Sequence, residues 1–323
     1  MDKIIKHLQQ SGPILIASHT NPDGDAIGSS LAIGLALESL GKHVTFYTES
    51  PIPAVYRFLP ESDRMVEEIN AENQFQTAII LDCGDIYRVG DAASIIEKIP
   101  TIINIDHHIT NTKFGNYSLI DTTACATAEI VYRLIKKMNV PINNVIAISI
   151  YTGIMTDTGS FRFSNTNKDS FAICEEMIAL GADPYLVAKH VYGTYSLGRI
   201  KLLNRAIDSI EISKNGKLSV MTVTEEMFDE TNTKPDDVDG FINYAKRIED
   251  VKIAALILEQ HKNNGNKSSS KTYHVSLRSD ETVDVGAIAA FYGGGGHSTA
   301  AGFSIESPLA GVKSKIFNLA NKL

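Results

Sequence analysis

The chain has no tryptophan, only three cysteines and no hydrophobic run long enough to cross a membrane. Three thiols (Cys83, Cys125 and Cys174) cannot all pair, and none has the spacing of a zinc ligand, so we expect reduced thiols in the core. Its apolar runs fall short of the ~20 residues of a membrane helix, and residues 1–6 do not have the pattern of a signal peptide. These absences argue against a disulfide-stabilised secreted scaffold and a membrane protein. We expect a cytoplasmic protein.

Positive charge is also scarce. The chain has 30 Lys and Arg residues against 38 Asp and Glu residues, which gives a net charge of −8. A surface of this sign repels a long polyanion. Any nucleic acid substrate is therefore expected to be short and held by a local basic or metal site, and long duplexes and membranes are not expected as partners. With 43% hydrophobic residues and a length of 323, the chain is an ordinary globular protein with room for two domains.

Strand-like and helix-like segments alternate through the first two hundred residues. Short β-branched runs predict strands at residues 14–18, 44–48, 77–82 and 101–105. Longer segments predict helices at residues 26–40, 126–138, 144–156 and 169–180. This alternation predicts an α/β fold, with a doubly wound and mostly parallel sheet in the N-terminal domain.

The pattern changes after residue 184, where a helical stretch continues to about residue 210 without a strand. We expect a catalytic domain at residues 1–190, a helical connector at 191–212 and a smaller α/β substrate-binding domain at 213–323. The active site is expected in the cleft between the domains. In the last domain the predicted strands are 218–223, 253–258, 273–277 and 301–305, and the predicted helices are 238–247, 285–291 and 309 onward. The polar tract at residues 262–271 is predicted to be a hairpin loop.

Carboxylates and imidazoles follow several of the predicted elements of the first domain, at their carboxyl ends. These residues are His19, Asp23 and Asp25, then Asp82, then Asp106, His107 and His108, and finally Asp157. The carboxyl ends of parallel strands meet at one edge of a sheet, which is the usual place for a site. Each residue taken alone has a plainer interpretation as a turn or cap residue; Asp25, for instance, could cap a helix that starts at Ala26. Taken together, however, four separate elements end in carboxylate or imidazole ligands, and this coincidence favours a common site.

This set of ligands suits divalent cations. Asp23, Asp25, Asp82 and Asp157 supply about four negative charges, which match two such cations and would otherwise repel one another. Oxygen-rich ligation with few imidazoles fits Mn²⁺ or Mg²⁺ better than zinc. Two such ions ~4 Å apart could share a bridging hydroxide as the nucleophile and clamp a phosphoryl group. The pattern therefore predicts a two-metal hydrolase.

The second domain carries a glycine run, Gly293 to Gly296, followed by His297. Glycines let backbone amides approach a phosphate closely, although a flexible turn is the plainer interpretation. Arg278, in a strand of alternating apolar residues, is a candidate ligand for a terminal phosphate or else an ordinary surface residue. The neighbouring pair Phe291 and Tyr292 is expected to pack in the core beside the loop.

Together, the first-domain residues resemble the four motifs of the DHH phosphoesterase superfamily, in their order. The segment Ser276-Leu277-Arg278-Ser279 and the glycine run with His297, Ala300 and Gly302 resemble the signature of the DHH-associated substrate domain. The combination, without extra domains, resembles the bacterial nanoRNase/pAp phosphatase family, the bifunctional oligoribonucleases. The resemblance covers essentially the whole chain.

The resemblance implies a role for each matching residue. His19, Asp23 and Asp82 would hold one metal ion, and Asp25, Asp82, His107 and Asp157 would hold the other. Asp106 would fix the orientation of an imidazole, and His108 would contact the scissile phosphate. The substrate-binding residues would be Arg278, Ser279, Gly294, Gly295, Gly296 and His297.

The implied reaction is a metal-dependent hydrolysis of phosphoesters, with two Mn²⁺ ions, or Mg²⁺ in their place. The implied substrates are single-stranded RNAs of about two to five nucleotides, cleaved to mononucleotides, and 3′-phosphoadenosine 5′-phosphate (pAp), cleaved to AMP. Alternatives are a phosphodiesterase for pApA or cyclic dinucleotides, a pyrophosphatase, and a non-catalytic nucleotide-binding protein. Pyrophosphatases lack the Gly-rich loop with its histidine, and a RecJ-like exonuclease would need additional domains. A homodimer is expected only by analogy.

Overall fold

Two compact units, Met1–Thr194 and Tyr195–Leu323, make up the computed structural model. The structure describes residues 1–69, 74–193, 195–260, 271–280 and 282–320. Apart from Lys271, the loop predicted at residues 262–271 lies outside these residues. Among the described residues, no helix combines the length and the apolar character needed to cross a membrane. The three cysteines are buried and free, as expected.

The first unit is built on a parallel five-stranded sheet with strand order β2-β1-β3-β4-β5. Its strands are β1 (Ile14–Ala17), β2 (Val44–Tyr47), β3 (Thr77–Leu81), β4 (Thr101–Asp106) and β5 (Tyr117–Ile120). Alternate side chains of these strands enter two different cores: Ile14 and Ile16 lie in one, and Leu15 and Ala17 lie in the other. A sheet buried on both faces explains why its strands are continuous apolar runs.

Helices cover both faces of this sheet, which confirms the doubly wound α/β prediction. The helices are α1 (Asp2–Gln10), α2 (Gly24–Ser39), α3 (Ala93–Ile96), α4 (Thr127–Lys137), α5 (Asn144–Asp157), α6 (Lys168–Ala179) and α7 (Pro184–Tyr192). Helices α2 and α5 pack against each other and are apolar almost all round, as expected for helices inside a core. Helix α3 and the chain after β3 cover the opposite face.

The order of the strands places a switch point between β1 and β3. The chain leaves β1 for β2 on one side and returns to β3 on the other side. In open α/β sheets the crevice at such a point, beyond the carboxyl ends of the strands, is where ligands bind. His19 follows β1 and Asp82 follows β3, so both lie at this crevice.

The second unit has a six-stranded mixed sheet with strand order β10-β11-β9-β8-β7-β6; among its described strands, only β7 and β8 run parallel. Its strands are β6 (Glu211–Ile212), β7 (Leu218–Val223), β8 (Ile253–Gln260), β9 (Thr272–Ser279), β10 (Gly295–Gly296) and β11 (Ala300–Glu306). Its helices are α8 (Leu197–Asp208), α9 (Glu225–Thr231), α10 (Ile242–Lys246), α11 (Val285–Phe291) and α12 (Leu309–Leu319). Helices α11 and α12 cover one face, and α8, α9 and α10 cover part of the other.

Two local predictions and one alternative interpretation are wrong. The helix expected throughout residues 184–210 is interrupted, because Ser196 accepts a hydrogen bond from the backbone of Arg199 and starts a new helix. The helix expected at residues 238–247 is limited to α10, because Gly240 has a φ of +78°. Asp25 does not cap its own helix; Asp23 does, accepting from the backbone N–H groups of Asp25 and Ala26, both at 3.0 Å.

Candidate active site

The loop after β1 contributes an imidazole and a carboxylate. The Nδ1 atom of His19 lies 2.8 Å from the carbonyl oxygen of Thr20. A carbonyl only accepts hydrogen bonds, so Nδ1 carries the proton and Nε2 is left as a ligand atom. This Nε2 lies 3.5 Å from Oδ2 of Asp82. Asp23, the N-cap of α2, is exposed and belongs to the same group of side chains.

Asp82 lies at the centre of the site, directly after β3. Its backbone has a φ of +51°, a left-handed conformation that is costly for a residue other than glycine and is often found at functional sites. Its carboxylate is buried, with Oδ2 directed to His19. The other oxygen, Oδ1, lies 3.6 Å from Nε2 of His107 and 3.5 Å from Nδ1 of His108. The Asp82 carboxylate therefore lies between His19 on one side and the His107–His108 pair on the other.

The end of β4 carries Asp106, which is fully buried and whose two oxygens are both occupied. Oδ1 lies 2.6 Å from Nδ1 of His108 and accepts from the backbone N–H of His107 at 2.9 Å. Oδ2 accepts from Nδ2 of Asn111 at 2.6 Å. Because the carboxylate holds both neighbours, it fixes the orientation of the His108 ring.

Two helices contribute the remaining carboxylates. Asp25, in the first turn of α2, is fully buried and accepts hydrogen bonds from the backbone of Thr127 and Ala128. Asp157 is the last residue of α5, where the helix dipole disfavours a negative charge. Asn165 donates to its side chain at 3.1 Å. Oδ2 of Asp157 lies 3.7 Å from Nε2 of His107.

The structure brings the eight first-unit residues named by the sequence to one place. Potential ligand atoms lie within 4.8 Å of one another in three overlapping groups: His19, Asp23 and Asp82; Asp25, His107 and Asp157; Asp82, His107 and His108. Asp106 contacts the last group through His108. The first two groups correspond to the two ligand sets implied by the resemblance, with Asp82 beside both.

The electrostatics of the site agree with a cation-binding role. Burial, with the charges of Asp82, Asp157 and Asp23, raises the pKa of Asp25 well above its usual value. Burial, against the opposing effect of His107, raises the pKa of Asp157 to about 7. Burial alone would raise the pKa of Asp82, but the neighbouring imidazoles outweigh it and the pKa is lowered. Crowded carboxylates with these shifts are the kind of donor set that a divalent cation would neutralise, so the residues fit such ions.

The imidazole of His19 is also perturbed. Burial alone would lower its pKa, but the hydrogen bond with Asp82 and the charges of Asp23 and Asp82 raise the pKa to about 9. A proton on this ring therefore competes with any metal ion for Nε2.

Arg278 and Ser279, the predicted substrate-binding residues of strand β9, lie in different environments. Arg278 is half-buried and lies between Ala254 of β8 and Ala300 of β11, and burial lowers the pKa of its guanidinium. Its Nη1 donates to the carbonyl of Leu277 at 3.0 Å. Ser279 is fully buried and donates to the carbonyl of Ser298 at 3.3 Å, so its hydroxyl holds the loop beside the strand.

Several glycines of the run have a structural role, in ending helix α11 and in allowing a close approach of the backbone. The N–H of Gly293 donates to Ala290 at 3.0 Å and that of Gly294 donates to Ala289 at 2.9 Å, which is the Schellman motif that ends α11. A Cβ on Gly294 would lie 2.1 Å from the carbonyl oxygen of Gly302. Among the described glycines of this run, a Cβ would meet nothing within 4 Å at Gly293 and at Gly295, but Gly293 has a φ of +78°, which favours glycine. Gly295 is therefore the glycine of this run at which neither a close contact nor a positive φ requires the absence of a side chain.

Sequence reasoning missed several polar residues that support the site. Thr127 donates to Asp82, and Asn111 donates both to Asp106 and to Asn104. Asn104 was detectable as a polar residue inside an otherwise apolar buried strand, whereas nothing local distinguished Thr127 or Asn111. The core role expected for Phe291 is wrong, since its side chain is 83% exposed; its neighbour Tyr292 stacks on Phe303, with ring centroids 4.5 Å apart.

Comparisons with known proteins cover both units. The N-terminal domain of the DHH family matches residues 13–154, and the DHHA1 domain matches residues 215–323. The bifunctional oligoribonuclease and PAP phosphatase NrnA of Thermus thermophilus is 32% identical over 296 residues, which cover 91% of this chain and 85% of that protein. The Bacillus subtilis protein of the same name is 25% identical over 94% of this chain and 93% of its own length. The crystal structure of an exopolyphosphatase-related protein from Bacteroides fragilis is 28% identical, with a TM-score of 0.90 over 99% of this chain and 94% of that one.

Proposed function

The chain belongs to the DHH family of phosphoesterases, and from that membership we propose that it hydrolyses short oligoribonucleotides to mononucleotides and pAp to AMP. The observation that carries the proposal is the group of ligands around Asp82, in a chain whose 32% identical relative is named for these two activities. The similarity extends over both units.

The proposed cofactor is a pair of Mn²⁺ ions, or Mg²⁺ in their place. His19, Asp23 and Asp82 would hold one ion, and Asp25, Asp82, His107 and Asp157 would hold the other. When bound, such ions polarise a phosphoryl oxygen and lower the pKa of an attacking water. The excess of carboxylate oxygens over imidazoles supports these hard cations over zinc.

His108 is proposed to contact the scissile phosphate through its Nε2. Oδ1 of Asp106 accepts a hydrogen bond from the Nδ1–H of His108, so the ring keeps one tautomer and one orientation. Burial would lower the pKa of His108, but the hydrogen bond with Asp106 and the charges of Asp82 and Asp106 raise it. The raised pKa extends the pH range over which the ring is protonated and can donate to a phosphate oxygen or to the leaving group.

The second unit is proposed to bind the phosphate end of the substrate. Arg278 offers a guanidinium that burial has partly stripped of water, which strengthens its attraction for an anion. Gly295 offers a stretch of backbone with no side chain in the way. A pocket that grips one end of an oligonucleotide favours very short substrates, in agreement with the net charge of −8.

A product analysis tests this proposal. Purified protein with Mn²⁺ would receive, in parallel, pAp, a 5′-phosphorylated RNA dinucleotide, pApA, a 24-nucleotide RNA and pyrophosphate. We expect AMP from pAp and mononucleotides from the dinucleotides, with little product from the long RNA or pyrophosphate. Turnover of pyrophosphate alone would overturn the proposal, and turnover of pApA without pAp would restrict it to a dinucleotide phosphodiesterase.

A pair of variants connects the activity to the site. Asp82→Ala removes the carboxylate that faces both ligand groups and should abolish both activities in a folded protein. The control is Asp63→Asn, which changes an exposed carboxylate of the same unit and should leave turnover unchanged. Activity that survives in Asp82→Ala would contradict the proposed mechanism.

A further inference from the structure

Helix α4 begins without a capping side chain of its own. Its N-cap residue is Ala126, which has no side-chain acceptor for the N–H groups of the first turn. Asp25 supplies the acceptors from helix α2, about a hundred positions earlier in the chain. Its Oδ2 accepts from the backbone of Thr127 at 2.6 Å and its Oδ1 accepts from that of Ala128 at 2.9 Å. The first turn of α4 therefore holds the Asp25 carboxylate in one orientation.

Thr127 contacts a second carboxylate through its side chain. Its hydroxyl donates to Oδ1 of Asp82 at 3.0 Å, and both side chains are buried. A carboxylate can rotate about its Cβ–Cγ bond, and this hydrogen bond restrains that rotation. Oδ1 is kept on the side of His107, at 3.6 Å, which leaves Oδ2 on the side of His19, at 3.5 Å.

We propose that Thr127 is a positioning residue for metal binding, which fixes the orientation of Asp25 through its backbone and the rotation of Asp82 through its hydroxyl. The proposal rests on the proposed function in one respect, namely that these two carboxylates hold divalent cations. Thr127 is not itself a ligand in this proposal, because its hydroxyl proton is directed to the carboxylate. Removing a hydrogen-bond partner of a metal ligand typically costs about 10- to 100-fold in metal affinity.

Three variants isolate the hydroxyl group. Thr127→Val keeps the shape and the backbone N–H but removes the hydroxyl, and Thr127→Ser keeps the hydroxyl. The matched control is Thr152→Val, because Thr152 is equally buried in the same unit but its hydroxyl donates to the helix carbonyl of Ile148 at 2.8 Å. Isothermal titration with Mn²⁺ would give affinity and stoichiometry, and electron paramagnetic resonance of bound Mn²⁺ would report the environment of the ions.

We expect Thr127→Val to weaken Mn²⁺ binding by about 10- to 100-fold and to change the resonance spectrum. Thr127→Ser and Thr152→Val should bind as the wild type does. Wild-type affinity in Thr127→Val would overturn the proposal, and so would an equal loss in Thr127→Ser, which would assign the effect to packing. If the valine variant does not fold, Thr127→Ala removes the hydroxyl without adding volume and carries the same expectations.

The failure of this proposal can be told apart from that of the proposed function. A wild-type protein that binds Mn²⁺ but cleaves neither pAp nor short RNA would overturn the function and leave the role of Thr127 open to the same titration. A protein that cleaves both substrates, and whose Thr127→Val variant binds Mn²⁺ normally, would overturn only the role of Thr127.

Discussion

The Nδ1 atom of His108 lies 2.6 Å from Oδ1 of Asp106, and this contact joins the imidazole to a network of buried polar groups. Asn111 donates to the other oxygen of Asp106 at 2.6 Å and to Oδ1 of Asn104 at 2.9 Å. Asn104 in turn donates to the carbonyl of Cys83 at 3.1 Å, in the segment that carries Asp82. The network therefore ties the end of β4 to the end of β3, and a buried network is most rigid when every member has a partner.

We expect replacement of Asp106 to affect the imidazole of His108 more strongly than the stability of the fold. Asp106→Asn removes the negative charge that holds the proton on Nδ1, so burial should then dominate and the pKa of His108 should fall. We expect phosphodiesterase activity to fall by about 10- to 100-fold. Proton NMR of the metal-free protein would follow the imidazole titration, with Asp121→Asn, a more exposed carboxylate, as the control. An unchanged His108 titration would contradict the role given to Asp106.

Metal binding should depend on pH in a defined direction. Asp157 and His19 hold protons up to about pH 7 and about pH 9, against ordinary values of 3.8 and 6.5, and both must lose them to act as ligands. In the metal-free protein the folded state thus binds more protons than the unfolded state between about pH 4 and pH 9, so these groups make stability fall as pH rises. The stabilisation by Mn²⁺ should be larger at pH 8 than at pH 5.5.

Thermal unfolding at both pH values, with Mn²⁺ and with a chelator, measures this difference. Asp157→Asn cannot titrate and should lose the part of the dependence that lies below about pH 7. The control is Asp280→Asn, which changes a carboxylate of the second unit and should keep the full pH dependence of the stabilisation by Mn²⁺. An equal Mn²⁺-induced shift at both pH values in the wild type would mean that protons and metal do not compete for these side chains.

The sequence was most informative where local pattern and burial agree. Strand β7 and helix α11 have the predicted bounds, because each is an apolar segment with clear limits. Strand β5 was not predicted, because it lies at the edge of its sheet and its side chains are only partly buried, so it lacks an apolar run. Edge elements depend on pairing with a neighbour, which a sequence pattern does not display.

In the site, too, some features could be predicted from local sequence and others could not. Parallel strands bring their carboxyl ends to one edge, so a sequence-level argument could place His19, Asp82 and His107 together. The partners of these residues were not predictable. Asp25 caps a helix that starts 102 positions later, and Thr127 reaches Asp82 across 45 positions. Such contacts follow from how the helices pack, and no local spacing encodes them.

Arg278 should affect substrate affinity and leave metal binding unchanged. Arg278→Lys keeps a positive charge but loses the planar fork that matches a phosphate. A charged hydrogen bond contributes about 1.5–3 kcal/mol, so we expect KM for pAp to rise by about 10- to 100-fold with little change in Mn²⁺ affinity. Steady-state kinetics and metal titration would separate the two. The control is Arg205→Lys, since Arg205 is exposed and pairs with Glu230. A normal KM in Arg278→Lys would remove Arg278 from the proposed phosphate site.

The glycines before His297 should separate into two classes when each is replaced by alanine. Gly296 has a φ of +141°, and a Cβ there would lie 2.5 Å from the Ala300 carbonyl oxygen, so Gly296→Ala should lower the free energy of unfolding by about 1–3 kcal/mol. Gly295→Ala meets nothing within 4 Å and should fold normally. If Gly295 is where the loop approaches a phosphate, this stable variant should still show a raised KM for pAp. Denaturant unfolding and kinetics on both variants test this, and a Gly295→Ala variant with normal KM would assign the glycine run to the fold alone.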